Sequence, residues 1–154
     1  MNLILWRHAE AEDMNSRGDM ARELTKRGRK QAQQMAHWLH AHLEGEWRIV
    51  VSPARRTLQT VAPLERPFEV SDALATGSYP EKLLREAGWP RAGGNVLAVG
   101  HQPTLGEVAA LLLRGEGGDV SIRKGAIWWF VTREREGKME TTLKTVLEPD
   151  QAED

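Results

Sequence analysis

Near-continuous apolar runs alternate along the chain with segments of helical period. Asn2 to Trp6 (NLILW), Trp47 to Val51 (WRIVV) and Asn95 to Val99 (NVLAV) have the length and continuity of strands buried on both faces. Phe68 to Val70 reads as a further short strand. Between them, Ala32, Met35, Ala36, Leu39 and Leu43 recur at helical spacing behind Thr25, a suitable N-cap, and predict a helix to about His42. Ser52 and Pro53 match the N-cap and first-turn preferences of a second helix, with Ala54, Leu58, Val61 and Ala62 facing inward. A helical turn or two is expected from Glu81 to Ala87, and Thr104 is placed to cap a helix carrying Val108, Ala109, Leu111, Leu112 and Leu113. Ala126 to Val131 and Thr142 to Leu147 predict a hairpin across Gly137. The order implies one α/β domain over residues 1–147, with a mostly parallel central sheet, helices on both faces and one antiparallel edge strand pair. Residues 9–23 are polar and aperiodic, a long loop over the carboxyl end of the first strand. The acidic residues 148–154 are expected to form a disordered tail.

Composition narrows the function classes. The 154 residues carry a formal net charge of −1, which gives no support for a nucleic-acid or membrane-surface binder. There is no cysteine, which excludes disulfides, thiolate metal sites and a cysteine nucleophile. No apolar stretch approaches a membrane span, and the start lacks the pattern of a secretory leader, so a cytoplasmic location is expected. His37, His40 and His42 cluster on the first helix without a convincing further ligand and read as a solvated helix end. The Arg114 to Asp119 loop (RGEGGD) lacks the Lys-Ser/Thr ending of a phosphate-cradling loop.

Candidate chemistry lies at the strand ends. The first strand stops at Arg7-His8, the second at Ser52-Pro53-Ala54-Arg55-Arg56, and Asn95 to Val99 at Gly100-His101. Ligands collect beyond the carboxyl ends of parallel strands, and two of these ends also open helices, whose amides favour anions. Arginine recognises oxyanions bidentately, and a neutral histidine can attack phosphorus. Two arginines and two histidines at one sheet edge therefore suit a phosphoryl group. Periodicity turns Arg56 away from the apolar face and brings Arg55 nearer to it, so helical spacing alone leaves Arg56 solvated.

These residues resemble the motifs of the histidine phosphatase superfamily, and within it the SixA-like phosphohistidine phosphatases. The matching stretches are Arg7-His8-Ala9, Leu24-Thr25-x-x-Gly28-x-x-Gln31-Ala32, Ser52-Pro53-x-x-Arg56-x-x-Gln59-Thr60 and Val99-Gly100-His101-Gln102-Pro103, in the family's order. The resemblance implies a phosphoglycerate mutase-like fold and a phosphatase with His8 as nucleophile, forming a phosphohistidine intermediate. Arg7, Arg56 and His101 would hold the phosphoryl oxygens, the second histidine being protonated in the complex. The motif register selects Arg56 over Arg55. Arg22 stands where SixA-like proteins carry an arginine near the phosphate; without the resemblance it reads as a solvated loop residue. The resemblance implies no metal and no cofactor.

Ala9 replaces the glycine of the wider superfamily and points to the SixA-like branch. The segment Asp72 to Ser78 lacks the glutamate that serves larger relatives as general acid; Glu10, Glu12, Asp13 and Glu81 are the remaining candidates, each also readable as a solvated carboxylate. Imidazole leaves phosphorus more readily than an alkoxide, so the missing acid fits phosphohistidine. The short chain leaves no room for a cap domain, which suits a phosphorylated protein such as a phosphorelay-type histidine phosphotransfer domain. A phosphatase for small phosphate esters and a non-catalytic phosphate-binding module are the alternatives. Trp128 and Trp129 must point to opposite faces of their strand, and Trp6 belongs either to the core or to the pocket wall.

Overall fold

The computed structural model describes residues 1–152. Its strands are β1 (Asn2–Arg7), β2 (Arg48–Val51), β3 (Glu69–Val70), β4 (Asn95–Gly100), β5 (Ile127–Arg135) and β6 (Lys138–Leu147). Its α-helices are α1 (Lys26–His42), α2 (Arg55–Val61), α3 (Pro80–Ala87) and α4 (Thr104–Arg114). The strands form one sheet in the order β3-β2-β4-β1-β5-β6. β3, β2, β4 and β1 are parallel, and β5 and β6 close one edge antiparallel. This is the mixed α/β architecture that the alternation of apolar runs and helical segments implies.

Strand alternation divides the core. Leu3 and Leu5 of β1, with Val50, Val96 and Ala98, pack under Leu83 of α3 and Leu105, Val108 and Ala109 of α4. Ile4 and Trp6, with Ile49, Val51, Leu97 and Val99, pack under Met35 and Leu39 of α1 and Val61 of α2. Successive residues thus serve opposite faces, which is why these strands read as unbroken apolar runs. Trp128 and Trp129 divide in the same way, between the two apolar layers.

Several boundaries differ from expectation. Ser52 and Pro53 do not start α2, whose N-cap position is Ala54 with no side-chain cap. Thr104 lies inside α4 behind Pro103, and its hydroxyl donates to the Ser78 carbonyl (3.1 Å). The hairpin is longer than its apolar segments because the polar outer halves of β5 and β6 pair through to Arg135 and Lys138. It turns on Glu136 and Gly137, both at positive φ (52° and 79°), the signature of a two-residue hairpin turn. The tail is ordered through Ala152, not disordered from residue 148. Pro149–Ala152 form a 3₁₀ turn in which Pro149 and Ala152 are buried, Ala152 in the apolar layer with Met35 and Leu39. Glu153 and Asp154 lie outside the described residues.

The parallel core sets three strand ends side by side. Arg7 of β1 is in register with Gly100 of β4, and Val51 of β2 with Val99. Beyond the strands the chain continues the pattern, with His8 N–H donating to the Gly100 carbonyl (3.1 Å) and Ser52 N–H to the Val99 carbonyl (3.0 Å). The following loop is pinned to α1: Ala11 bridges Leu24, and Thr25 N–H donates to the Glu10 carbonyl (3.0 Å). Gly28 makes this approach possible, since a Cβ there would collide with the Glu10 carbonyl. Gly28→Ala should therefore destabilise the protein by about 1–3 kcal/mol, although alanine is the better helix former by ~1 kcal/mol. Urea unfolding checks it, and a midpoint at or above wild type would mean that this contact does not fix the loop.

Candidate active site

His8 leaves β1 with its ring almost wholly buried. Its Nδ1 lies 2.7 Å from the Ala9 carbonyl oxygen. That oxygen can only accept, so the partner assigns the proton to Nδ1 and leaves a lone pair on Nε2. Ala9 is itself fixed: its N–H donates to Thr60 Oγ1 (3.0 Å), and the Thr60 hydroxyl donates to the Arg56 carbonyl (2.7 Å). Burial drives the His8 pKa down to about 4; the Ala9 hydrogen bond opposes this, and the charges of Arg56, Arg7 and Arg22 add to it. The imidazole is neutral at pH 7, the form that a nucleophile requires.

His101 faces it, with ring centroids 5.4 Å apart and planes at 55°. Its Nε2 lies 2.7 Å from Ser52 Oγ, which also accepts from the Ala54 N–H (3.3 Å). While accepting from Ala54 N–H the Ser52 hydroxyl can still donate to Nε2, the arrangement that suits a neutral ring with its proton on Nδ1. Burial, with the charges of Arg56, His8 and Arg7, depresses the His101 pKa to about 3, and Asp19 opposes the shift. In the free protein His101 is thus a neutral donor; the resemblance expects it charged only when an anion is bound.

The arginines are held by their outer nitrogens. Arg7 Nη1 donates to the Ile122 carbonyl (2.9 Å). Arg56 Nη1 donates to the Asp19 carbonyl (2.8 Å), and Nη2 pairs with Asp19 Oδ2 (3.2 Å). Among the described residues, the buried side-chain polar atoms without a partner are Arg7 Nε, Arg56 Nε and His101 Nδ1. All belong to the cluster, and all are donors. Buried donors are almost always satisfied, so three unmet N–H groups beside a nucleophilic nitrogen fit an oxyanion, the charge and shape of a phosphoryl group.

The structure also separates Arg56 from Arg55. The Arg56 side chain is 4% exposed, whereas that of Arg55 is 58% exposed and pairs with Glu23 (3.1 Å). Helical spacing misplaces Arg56 because the first turn of α2 lies over the strand ends, where the polar cluster and not the apolar core is the buried neighbour. Arg22 approaches without joining the unpartnered donors: its Nε donates to the Glu12 carbonyl (2.6 Å) and its Nη1 pairs with Asp19 (3.0 Å).

The remaining motif residues brace the site. Gln31 Oε1 accepts from Glu10 N–H (3.0 Å), and Gln59 Oε1 accepts from Leu24 N–H (2.8 Å). Gln102 bonds both the Val120 carbonyl and the Gly106 N–H. Trp6 is core and not pocket wall, but its indole N–H holds the Gly125 carbonyl (3.1 Å), and Gly125 N–H in turn bonds the His8 carbonyl (2.9 Å). Among the acid candidates, Glu10 bonds Thr25 and Arg27, Glu12 bonds Asn15 and the Glu23 N–H, and Asp13 and Glu81 are exposed. The carboxylate that meets the cluster is Asp19, which sequence reasoning passes over inside an aperiodic loop. Ser52 also escapes it as a site residue, because its position before a proline reads as a helix cap. His42, from the histidine group on α1, stacks on Trp38 at 3.9 Å.

Comparison with known proteins shows the family and the fold. Residues 3–89 match the family model for the histidine phosphatase superfamily (branch 1), more than half of the chain. The uncharacterized protein Rv1276c of Mycobacterium tuberculosis is 31% identical over 121 residues, 75% of each chain. The structure of the protein histidine phosphatase SixA complexed with tungstate superposes with a TM-score of 0.82 at 26% identity, covering 99% of this chain and 100% of that one. A protein of Nakamurella multipartitia assigned as phosphohistidine phosphatase SixA gives a TM-score of 0.77 at 27% identity, covering 96% and 95%.

The two histidines also tie stability to pH. Their folded pKa values of about 4 and about 3 lie below the ordinary 6.5. Between these limits the unfolded chain binds more protons than the folded one, so stability is complete above the unfolded value and falls as pH drops towards the folded values. In a buffer free of oxyanions, unfolding free energy should fall by about 1 kcal/mol per histidine between about pH 6.5 and 5.5, above the range of the carboxylates. Urea titrations across that window check the slope, which His8→Gln should flatten; a wild-type profile already flat there would contradict it.

Proposed function

The chain belongs to the histidine phosphatase superfamily, and from that membership we propose that it hydrolyses protein phosphohistidine through a phosphohistidine intermediate on His8, without a metal ion. The observation that carries this reading is the set of unpartnered donors, Arg7 Nε, Arg56 Nε and His101 Nδ1, around a histidine whose Nε2 keeps its lone pair. The tungstate of the SixA structure, a phosphate-like oxyanion, supports it.

The reaction has two displacements. His8 Nε2 donates its lone pair to phosphorus as the bond to the leaving nitrogen breaks; that nitrogen keeps the electron pair and takes a proton from solvent. Charge spreads over the phosphoryl oxygens, where Arg7, Arg56 and His101 donate. Water then attacks phosphorus, the bond to Nε2 breaks, and phosphate leaves with neutral His8 restored. The two guanidinium groups supply the fixed positive charge that a metal supplies elsewhere.

Two features favour a phosphoramidate in a protein. None of the carboxylates proposed as general acid hydrogen-bonds a member of the cluster, and a departing imidazole needs less acid help than an alkoxide. The cluster is also flanked by open clefts. One, of about 420 Å³, runs beside Arg7 past Arg27, Gln31 and Lys124; the other, of about 490 Å³, runs past Met20, Pro53 and Arg55. These flanks suit the surface of a partner such as a phosphotransfer domain.

Rapid quench with a phosphorylated histidine phosphotransfer domain should trap an acid-labile, alkali-stable phosphoenzyme on His8, and chelators should leave turnover unchanged. His8→Ala should abolish both the intermediate and hydrolysis. Arg56→Ala should lower kcat/KM by about 100-fold, whereas Arg55→Ala should stay within about twofold of wild type. Turnover by His8→Ala would overturn the mechanism. Faster turnover of small phosphate esters than of the phosphoprotein would overturn the substrate assignment alone.

A further inference from the structure

Asp19 sits on the 3₁₀ turn Asp19–Ala21, beside the phosphoryl cluster and on a different element from every other member. Its carboxylate bridges two arginines, one oxygen to each: Oδ2 to Arg56 Nη2 at 3.2 Å and Oδ1 to Arg22 Nη1 at 3.0 Å. Its side chain is 54% exposed, while that of Arg56 is nearly dry. Both arginines hold its pKa below the ordinary carboxylate value, so it is ionised wherever the cluster works. It is therefore a poor proton donor, and its effect on the site is that of a fixed negative charge.

That charge lies on the very guanidinium whose buried Nε–H has no hydrogen-bond partner. A phosphoryl dianion bound there must share Arg56 with the Asp19 carboxylate. Like charges on one cation repel, and the repulsion is least screened where the cation is buried.

We propose that Asp19 is a specificity-determining residue, an internal anion that weakens the hold of the cluster on free phosphate and selects against leaving groups carrying negative charge. The first effect speeds release of the dianionic product. The second rests on the phosphohistidine reading: a departing imidazole carries no negative charge once it has taken its proton, whereas a carboxylate-bearing ester brings repulsion. The first effect is independent of which substrate is used.

Asp19→Asn separates charge from position, because the amide oxygen can still accept from an arginine and the main-chain carbonyl of residue 19 still holds Arg56 Nη1. The measurement is inhibition by inorganic phosphate, at low and at high salt, alongside kcat/KM for phosphoimidazole and for 3-phosphoglycerate. The Asp19→Asn variant should bind phosphate about fivefold more tightly than wild type, with the gap narrowing at high salt, and its preference for phosphoimidazole should fall. Phosphate binding that is unchanged or weaker in both Asp19→Asn and Asp19→Ala would overturn the proposal and leave Asp19 as a prop for Arg56. If phosphohistidine is not the substrate, the phosphate measurement still decides on Asp19, while the missing phosphoenzyme decides on the mechanism.

Discussion

Two guanidinium groups and two imidazoles are crowded into a largely buried space at one edge of the sheet, and the surrounding structure is arranged to tolerate that charge. Bringing like charges together in a low dielectric is costly unless each finds a counter-charge or a dipole. Both imidazoles respond by staying neutral, their pKa values pressed down to about 4 and about 3. Main-chain carbonyls of Ile122 and Asp19 take the outer nitrogens of Arg7 and Arg56. What remains unmet is the set of Nε and Nδ1 donors, which in the proposed reading receive the anion.

Such a cluster needs a scaffold that does not relax. The parallel register fixes Arg7 beside Gly100, and the alternating core clamps β1 from both sides through Leu3 and Leu5 on one face and Ile4 and Trp6 on the other. The loops beyond the strand ends would otherwise be free to collapse onto the arginines. They are tied instead by side-chain to backbone bonds from Gln31, Gln59, Thr60 and Gln102, and by the close seat of Glu10 on Gly28. Much of the motif content of the chain is therefore mechanical. Few of these residues belong to the arginine–histidine cluster; most hold the main chain that positions it.

This division explains what is legible in the sequence. Apolar runs and turn signals locate the parallel strands well, because strands buried on both faces leave a one-dimensional trace. His8, Arg7 and His101 follow, since each stands one or two residues past a run. Arg56 is readable only from its spacing to Gln59 and Thr60, because helical periodicity measures distance from an apolar core and this residue is buried in a polar one. Ser52 looks like a helix cap, and its partner, His101, is distant in sequence. Asp19 has no local signature: it matters through a contact with Arg56, thirty-seven residues away, that only the fold creates. The ordered tail is hidden similarly, two small apolar residues in an acidic stretch finding the layer beside α1.

The neutral histidines give the site a further property. A cluster kept permanently charged by two arginines and two imidazolium rings would bind any dianion tightly and release it slowly. Here the free pocket carries only the charge of its arginines, partly offset by Asp19. In the proposed reaction an arriving phosphoryl group would supply negative potential that raises the His101 pKa, so this donor would gain charge as the anion binds and give it up as the anion leaves. The Ser52 hydroxyl permits this, because it can turn to accept from Nε2 once that nitrogen is protonated, while Nδ1 keeps its proton towards the phosphate. His8 is set up oppositely: as the proposed nucleophile its Nε2 must stay unprotonated, and the Ala9 carbonyl keeps the ring proton on the other nitrogen. Two buried imidazoles with similarly depressed pKa values are thereby given different roles by their hydrogen-bond partners, a carbonyl that can only accept and a hydroxyl that can do both.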